Sequence, residues 1–477
     1  MKKNYKPYCS IGKFIPFAIC AAILAGCATF HPQPISPQVN ASALEGRTLD
    51  NPSLKKFMEE NLHRRIHPWP LPSWDFSMLT LAAFYYSPDL DMARARWQVA
   101  QAGKITAGER PNPSISVRPG AISNPSASPL LFGVAPNIPI ETGGKRGYRL
   151  SLAGHLARAA YLDIKTAAWQ VRSRLRARLL DLYFSIQTSA VLKRQVEVQR
   201  KLAHLLSVLL KNGEIPRPEF TRAQISLDSS RLKWVDVQRR IGDNRARLAA
   251  ALGVPVSALR QVKISYGFPN RFPKAPALGA LKQKALLHRS DILSALANYQ
   301  AAQSSLQLEI AKQYPDVNLG PGYSFDDSEN KWTFGVSLTL PLLNRNQGPI
   351  ARAKARRKEA ASAFTCLQAR VIEELDRGEA GYGEMFLKLK TAEALEVAAK
   401  VQMDSARRAF MEGETSRLAL LSARLVFYAD LLQRVQASYQ AQQALGLLED
   451  ALQSPLSASA RRLQAIQINP GEGDNHP

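Results

Sequence analysis

Ten residues, Trp332 to Pro341, alternate almost without a break. Trp332, Phe334, Val336, Leu338 and Leu340 fall on one side; Thr333, Gly335, Ser337 and Thr339 fall on the other. Successive side chains of a strand point to opposite faces, so the stretch predicts a strand with one apolar and one polar face. Its length also suits a tilted strand crossing a bilayer. A weaker copy runs from Phe132 to Pro139. Its Phe132, Gly133, Val134 and Pro139 stand 202 residues before Phe334, Gly335, Val336 and Pro341. A fixed offset is the mark of an internal repeat.

The rest of the chain keeps that offset to within two residues. A helical pattern from Met78 to about Arg110 stops at Pro111-Asn112-Pro113, because proline cannot continue a helix. Strands are expected at about 114–118 and 130–140. The second carries Pro136 and Asn137 in its interior, which predicts a bulge, since an interior proline removes a ladder bond. Thr142-Gly143-Gly144-Lys145 lacks phosphate-loop spacing and reads as a strand-to-helix turn. A proline-free helix of about 95 Å follows to Lys211. Asn212-Gly213 ends it, and a helix from Glu219 to about Leu252 must fold back beside it. The second copy repeats this order. Strands are expected at about 316–324 and 332–341, then a long helix to Met411, a stop at Gly413 and a last helix from Ser416 to Leu452.

The expected organisation is a leader at 1–26, an extended N-terminal arm at 27–77, a first repeat at 78–255, a connector at 256–289, a second repeat at 290–453 and a loose tail at 454–477. The fold class is mainly α with a small β part, a tandem repeat of helix–strand–strand–long helix–helix. Four short strands cannot close a barrel, and an open edge cannot face lipid. Copies must therefore share one barrel. Two copies give eight strands and a filled interior; three give twelve and a lumen.

Charge and cysteine content change little. The net charge of +24 comes with no zinc-finger or aromatic RNA-binding signature, so no nucleic-acid partner is expected. Arg172, Arg174, Arg176 and Arg178 spread around their helix, some on the tunnel wall or outer surface. Histidines are scattered without metal-ligand spacing, and no acid–base or nucleophile constellation is present, so neither metal site nor enzyme is expected. Cys366 reads as a small apolar packing residue. Lys2, Lys3, Lys6 and Lys13 precede a short apolar run, Phe14 to Leu24, as in an export signal. Leu24-Ala25-Gly26-Cys27 resembles the bacterial lipoprotein box, which implies a covalent lipid on Cys27 and no other cofactor. Ala28, where an aspartate would mark inner-membrane retention, favours the outer membrane.

Taken together, the lipoprotein box, Pro111-Asn112-Pro113, the Phe-Gly-Val strands and the hairpins closing at Gly213 and Gly413 resemble the TolC-type outer-membrane efflux channels, in particular the lipoprotein branch serving resistance-nodulation-division pumps. The resemblance spans about residues 78–455. It implies a homotrimer set in outer-membrane lipid, with a twelve-stranded barrel continued by an α-helical barrel across the periplasm. A periplasmic adaptor and an inner-membrane efflux pump would be its partners. It places the periplasmic gate at the hairpin turns: Gly213, Arg217, Glu219 and Arg222 in the first, Gly413, Arg417, Ala419 and Ser422 in the second. There Glu219 would latch to Arg217 or Arg417, and Leu418, Ala419, Leu420 and Leu421 would form a tight constriction without acidic rings. A channel for type I protein secretion and a periplasmic coiled-coil adaptor lipoprotein are the alternatives.

Overall fold

A computed structural model describes residues 30–121, 130–267, 269–273, 277–326 and 329–456. The leader, Cys27 and most of the C-terminal tail lie outside the described residues. Residues 1–46 and 47–477 form separate units. The first contributes one helix among its described residues, α1 (Pro37–Glu45), started by Pro37 and capped by the Ser36 hydroxyl, which accepts from Val39 N–H.

The second unit begins with α2 (Pro52–Leu62) and α3 (Phe76–Tyr86). Nearly every α3 side chain is buried, as expected for a helix apolar all round. The segment before α3, expected as an extended arm with one short helix near Leu54 to His63, carries that helix as α2 but is docked rather than extended. Leu49, Leu54, Met58, Ile66 and Trp74 are buried with α3 in one core, and Trp74 bridges to Ile264 of the connector. The single helix expected over 78–110 is in fact two, α3 and α4 (Pro88–Gly108). Ser87 ends the first and caps the second, its hydroxyl accepting from Leu90 N–H, while Pro88 forbids continuation.

The remaining strands and α-helices are β1 (Ser114–Ala121), β2 (Leu130–Ile140), α5 (Lys145–Lys211), α6 (Arg217–Leu252), α7 (Leu278–His288), α8 (Ser290–Ala311), β3 (Val317–Asp326), β4 (Glu329–Leu338), α9 (Gln347–Met411) and α10 (Arg417–Leu452), with one short 3-10 helix, Val256–Leu259, after α6. The long helices hold 67 and 65 residues, about 100 Å each. Their return helices hold 36 residues apiece. No described helix is long and apolar enough to cross a membrane. Central α5 packs against α4, α6, α8 and α10; α9 packs against α8 and α10. This leaves α4 and α6 at one side of the helical layer and α9 at the other.

The strands form one antiparallel sheet in the order β1-β2-β3-β4. β1 runs to Ala121, further than its alternation suggested. β4 stops at Leu338, so Leu340 lies beyond it. The last rung pairs Leu338 with Val317, and Asp316 just before it is committed to a helix junction. The expected bulge in β2 is absent. The β2–β3 register is the same on both sides of Pro136, but the pairs at 135–137 are missing. Pro136 stands opposite Pro321. Rungs of an antiparallel ladder come as reciprocal N–H···O bonds on alternate residue pairs. Two prolines facing each other at such a rung lack both donors, which removes the pairs on either side while leaving the register intact. β1–β2 and β3–β4 stay continuous past these prolines, as they must if both nitrogens point into the β2–β3 seam.

Candidate functional site

The register sorts the sheet into two faces of opposite chemistry. Trp332, Phe334, Val336 and Leu338 of β4 lie opposite Tyr323, Pro321, Leu319 and Val317 of β3. These lie in turn beside Val134, Ile138 and Ile140 of β2, and Val117 and Ile115 of β1 complete the rows. One face is therefore apolar across all four strands. It is also bare: Trp332 is 81% exposed, Phe334 69% and Val336 56%. The Tyr323 and Trp332 rings touch across the ladder at 5.0 Å. The other face carries Ser116, Arg118, Gly133, Ala135, Ser324 and Thr333 around a hollow of about 440 Å³. A soluble sheet turns its polar face to water; here the hollow face is polar and the outer face apolar, as lipid requires.

A polar junction fixes the sheet to the helices. Gly143 and Gly144 turn with φ of 66° and 72°, and a Cβ on Gly143 would meet the Ala311 carbonyl at 3.1 Å. The turn delivers Lys145, buried, to the Asp316 carboxylate at 2.7 Å and the Tyr314 carbonyl at 2.7 Å. Thr142 N–H also donates to Asp316 at 2.9 Å. Arg149 pairs with Glu141 and donates to the Glu109 carbonyl. The Arg149 guanidinium beside Glu141 holds that carboxyl below the usual range. Burial pushes the Asp316 carboxyl up, but Lys145, the Thr142 amide and Arg149 outweigh it and leave it low. Groups lowered by folding stabilise the folded state above their unfolded pKa, about 4. That contribution is lost as pH falls through the lowered folded value. Melting temperature should thus fall steeply below about pH 4, and Asp316→Asn should flatten that part of the profile.

The two hairpin turns close alike at the ends of α5 and α9 remote from the sheet. Gly213 (φ 77°) and Gly413 (φ 81°) take the left-handed conformation. Glu214 N–H reaches the Leu209 carbonyl at 2.9 Å, and Glu414 N–H the Ala409 carbonyl at 2.8 Å. These are Schellman closures, which need a residue free of Cβ strain. No atom lies within 4 Å of a Cβ at either position, so only the backbone opposes substitution. Gly213→Ala and Gly413→Ala should each cost about 1–2 kcal/mol, read as faster amide exchange at the turn alone. The turns differ in their second helix: Pro216 offers no side-chain cap, whereas the Ser416 hydroxyl accepts from Ala419 N–H.

Arg217, Glu219, Arg222 and Arg417 are all exposed, and none forms an ion pair with a described residue of its own chain. A Glu219 latch would have to run between chains. Glu219 also sits in the first turn of α6, where the helix dipole favours a carboxylate. Fewer apolar side chains are free at the second turn than expected. Leu420 and Leu421 are buried in the hairpin, so only Leu418, Ala419 and Ser422 are left outside.

The four arginines of α5 are divided between core and surface, as their spread around the helix suggested. Arg172 and Arg176, one turn apart, are buried against Glu449 of α10 at 3.9 and 3.7 Å. Arg176 also donates to the Gln442 carbonyl and side chain. Arg172 lies over the Trp169 ring, and Trp169 and Ser173 both donate to Asp450. Burial lowers both guanidinium pKa values and raises that of Asp450. Arg174 is exposed and pairs with Asp89. Cys366 is exposed rather than packed.

A sheet with a bare apolar face, both edges open and two long helical hairpins hung from one end defines a subunit of a membrane channel. The chain belongs to the outer membrane efflux protein family, whose model matches residues 83–254 and 281–453. This is a family of outer-membrane channels, not of enzymes. The cobalt-zinc-cadmium resistance protein CzcC of Cupriavidus metallidurans is 23% identical over 75% of this chain and 86% of its own length. The pyoverdine export outer membrane protein OpmQ of Pseudomonas aeruginosa is 21% identical over 78% and 85%. Among solved structures, the outer membrane protein VceC of Vibrio cholerae superposes with a TM-score of 0.65 at 19% identity, over 80% of this chain and 97% of that one.

Proposed function

We propose that three copies close into one channel through the outer membrane, the exit duct of a tripartite efflux system. The observation that carries this is the coincidence of edges. β1 is a free sheet edge and follows α4, a free helix edge; β4 is the other and leads into α9. Sheet and helical layer thus run out at the same two sides, and one rotation satisfies both. The outward sides of the edge helices are apolar in places, with Val99 and Ile105 on α4, Leu232 and Val235 on α6, and Leu387, Leu395 and Val397 on α9 all exposed. Twelve strands leave room for a lumen, which the polar hollow face would line.

In this reading the export is passive. A periplasmic adaptor docks at the turns around Gly213 and Gly413, and an inner-membrane pump selects the cargo. CzcC and OpmQ are named for cobalt-zinc-cadmium resistance and pyoverdine export, which supports small solutes or metal ions over secreted proteins as cargo. The coiled-coil adaptor alternative is set aside by family membership. Anchoring by a lipid on Cys27 belongs to the same proposal; labelling with a fatty acid, abolished by Cys27→Ser, tests it. The ring itself is tested by cysteines placed at Ser114 or Ser116 and at Ser337. Oxidation in outer-membrane fractions should yield species of dimer and trimer mass. Only monomers at every pairing, with the protein correctly fractionated, would refute a shared barrel.

A further inference from the structure

The net charge of +24 has no part in the reading above, and a share of it is concentrated at one place. Past Leu338, where β4 ends, the chain runs on through Thr339 to Leu340-Pro341-Leu342-Leu343. Leu340, Leu342 and Leu343 are 64%, 73% and 99% exposed, and Leu340 prolongs the alternation of the apolar face. Arg345 follows, and the first turns of α9 then bring Lys354, Arg356, Arg357 and Lys358, all exposed. The two copies of the repeat differ here. In the first, Lys145, Arg146 and Arg149 are bound to Asp316, the Gly108 carbonyl and Glu141. In the second, none of the four cations from Lys354 to Lys358 forms an ion pair with a described residue.

The elements packed around α9 do not neutralise them. Near this end, α8 offers Glu309, which is held by Lys312 and Asn346 and stands near Arg352. The element that ring closure would bring against α9 is α4 of the next copy, whose last ten residues carry Lys104 as their only charge. Lys358 lies about 17 Å down the helix from Gln347, so the whole group is within a head-group layer and roughly one Debye length of the apolar band.

We propose that Leu340–Arg345 and the basic first turns of α9 form an interfacial anchor that holds anionic phospholipid head groups of the leaflet on the helix side of the membrane. The leucines seat in the acyl boundary, and the cations meet phosphate just below it. The occupant follows from two features: the apolar segment runs on from the lipid-facing face, and the charge beside it, from Arg345 to Lys358, is of one sign, Glu359 being the first carboxylate after it. This inference rests on the membrane-spanning reading of the sheet.

The test uses the full-length protein in nanodiscs of phosphatidylethanolamine, with or without phosphatidylglycerol, and native mass spectrometry of retained lipid. Wild type should retain phosphatidylglycerol preferentially. The variant K354Q/R356Q/R357Q/K358Q should lose about tenfold of that enrichment. L342N/L343N should weaken retention of both lipids. R407Q/R408Q, at the remote end of α9, should change nothing. Unchanged enrichment in the quadruple variant, or an equal loss in R407Q/R408Q, overturns the anchor. Unchanged enrichment with altered ion selectivity of the pore would overturn it too, by placing these charges on the lumen. Failure of wild type to enter any nanodisc would instead refute the membrane-spanning reading itself.

Discussion

Phe334→Arg should cost about 2–4 kcal/mol per copy and sharply reduce the yield of assembled, heat-modifiable channel. Phe334 lies near the middle of β4 on the face that is apolar across all four strands, so an arginine there meets hydrocarbon rather than water. Three residues on, Ser337 projects from the opposite face of the same strand. Ser337→Arg should assemble normally and shift the pore toward anions, since it adds a cation to the hollow side. The contrast isolates the face from the strand, because both variants place the same long side chain on β4. Equal assembly of Phe334→Arg and wild type in outer-membrane fractions would mean that the apolar face does not meet lipid.

The second large effect is expected far from the membrane. Glu449→Ala should destabilise the folded protein by about 3–5 kcal/mol, seen as a lower melting temperature by circular dichroism in detergent. Glu449 is the carboxylate nearest to both buried guanidinium groups, and its Oε1 also accepts from Leu456 N–H at 2.9 Å. Asp450 is already engaged by Trp169 and Ser173. Removing Glu449 therefore leaves buried positive charge undercompensated, which is worse than having no charge at all. The triple variant R172M/R176M/E449L should recover part of the loss, because well-packed apolar groups replace a buried ion cluster at little cost. If Glu449→Ala melted like wild type, the pairings across α5 and α10 would carry no net energy. Gly446 belongs to the same arrangement: a Cβ there would press on the Arg176 guanidinium where it reaches α10.

The sequence revealed those features whose signal is local. Long windows without proline mark α5 and α9, and Gly213 and Gly413 mark their ends because only glycine enters the left-handed turn without strain. Strict alternation marks β4, and the repeat locates its partner strands. The buried charges joined residues more than 270 positions apart, which no periodicity links. A fainter signal did exist: Arg172 and Arg176 share a helix face with Leu175 and Leu179, and Glu449 interrupts the apolar series Leu445, Leu448 and Leu452. Leu420 and Leu421 looked available at the tip because composition alone does not say which side of a helix meets its hairpin partner. The short helix before α3 was legible, but its docking was not, because the apolar residues around it are spaced irregularly and find their partners only in the folded unit.

Pro119 lies within β1, and the ladder shows which way its nitrogen points. If Pro136 and Pro321 face the β2–β3 seam, alternation puts the nitrogen of Pro119 on the free edge, away from β2. β1 keeps its rungs to β2, while its open side is missing one donor. A chain that has not yet found its neighbours exposes two strand edges, and such edges template fibrils. With a donor missing midway along one of them, indiscriminate strand addition is interrupted after a few residues. Pro119, which leaves the free edge of β1 one hydrogen bond short, would thus protect the lone subunit from aggregation on its way to the membrane.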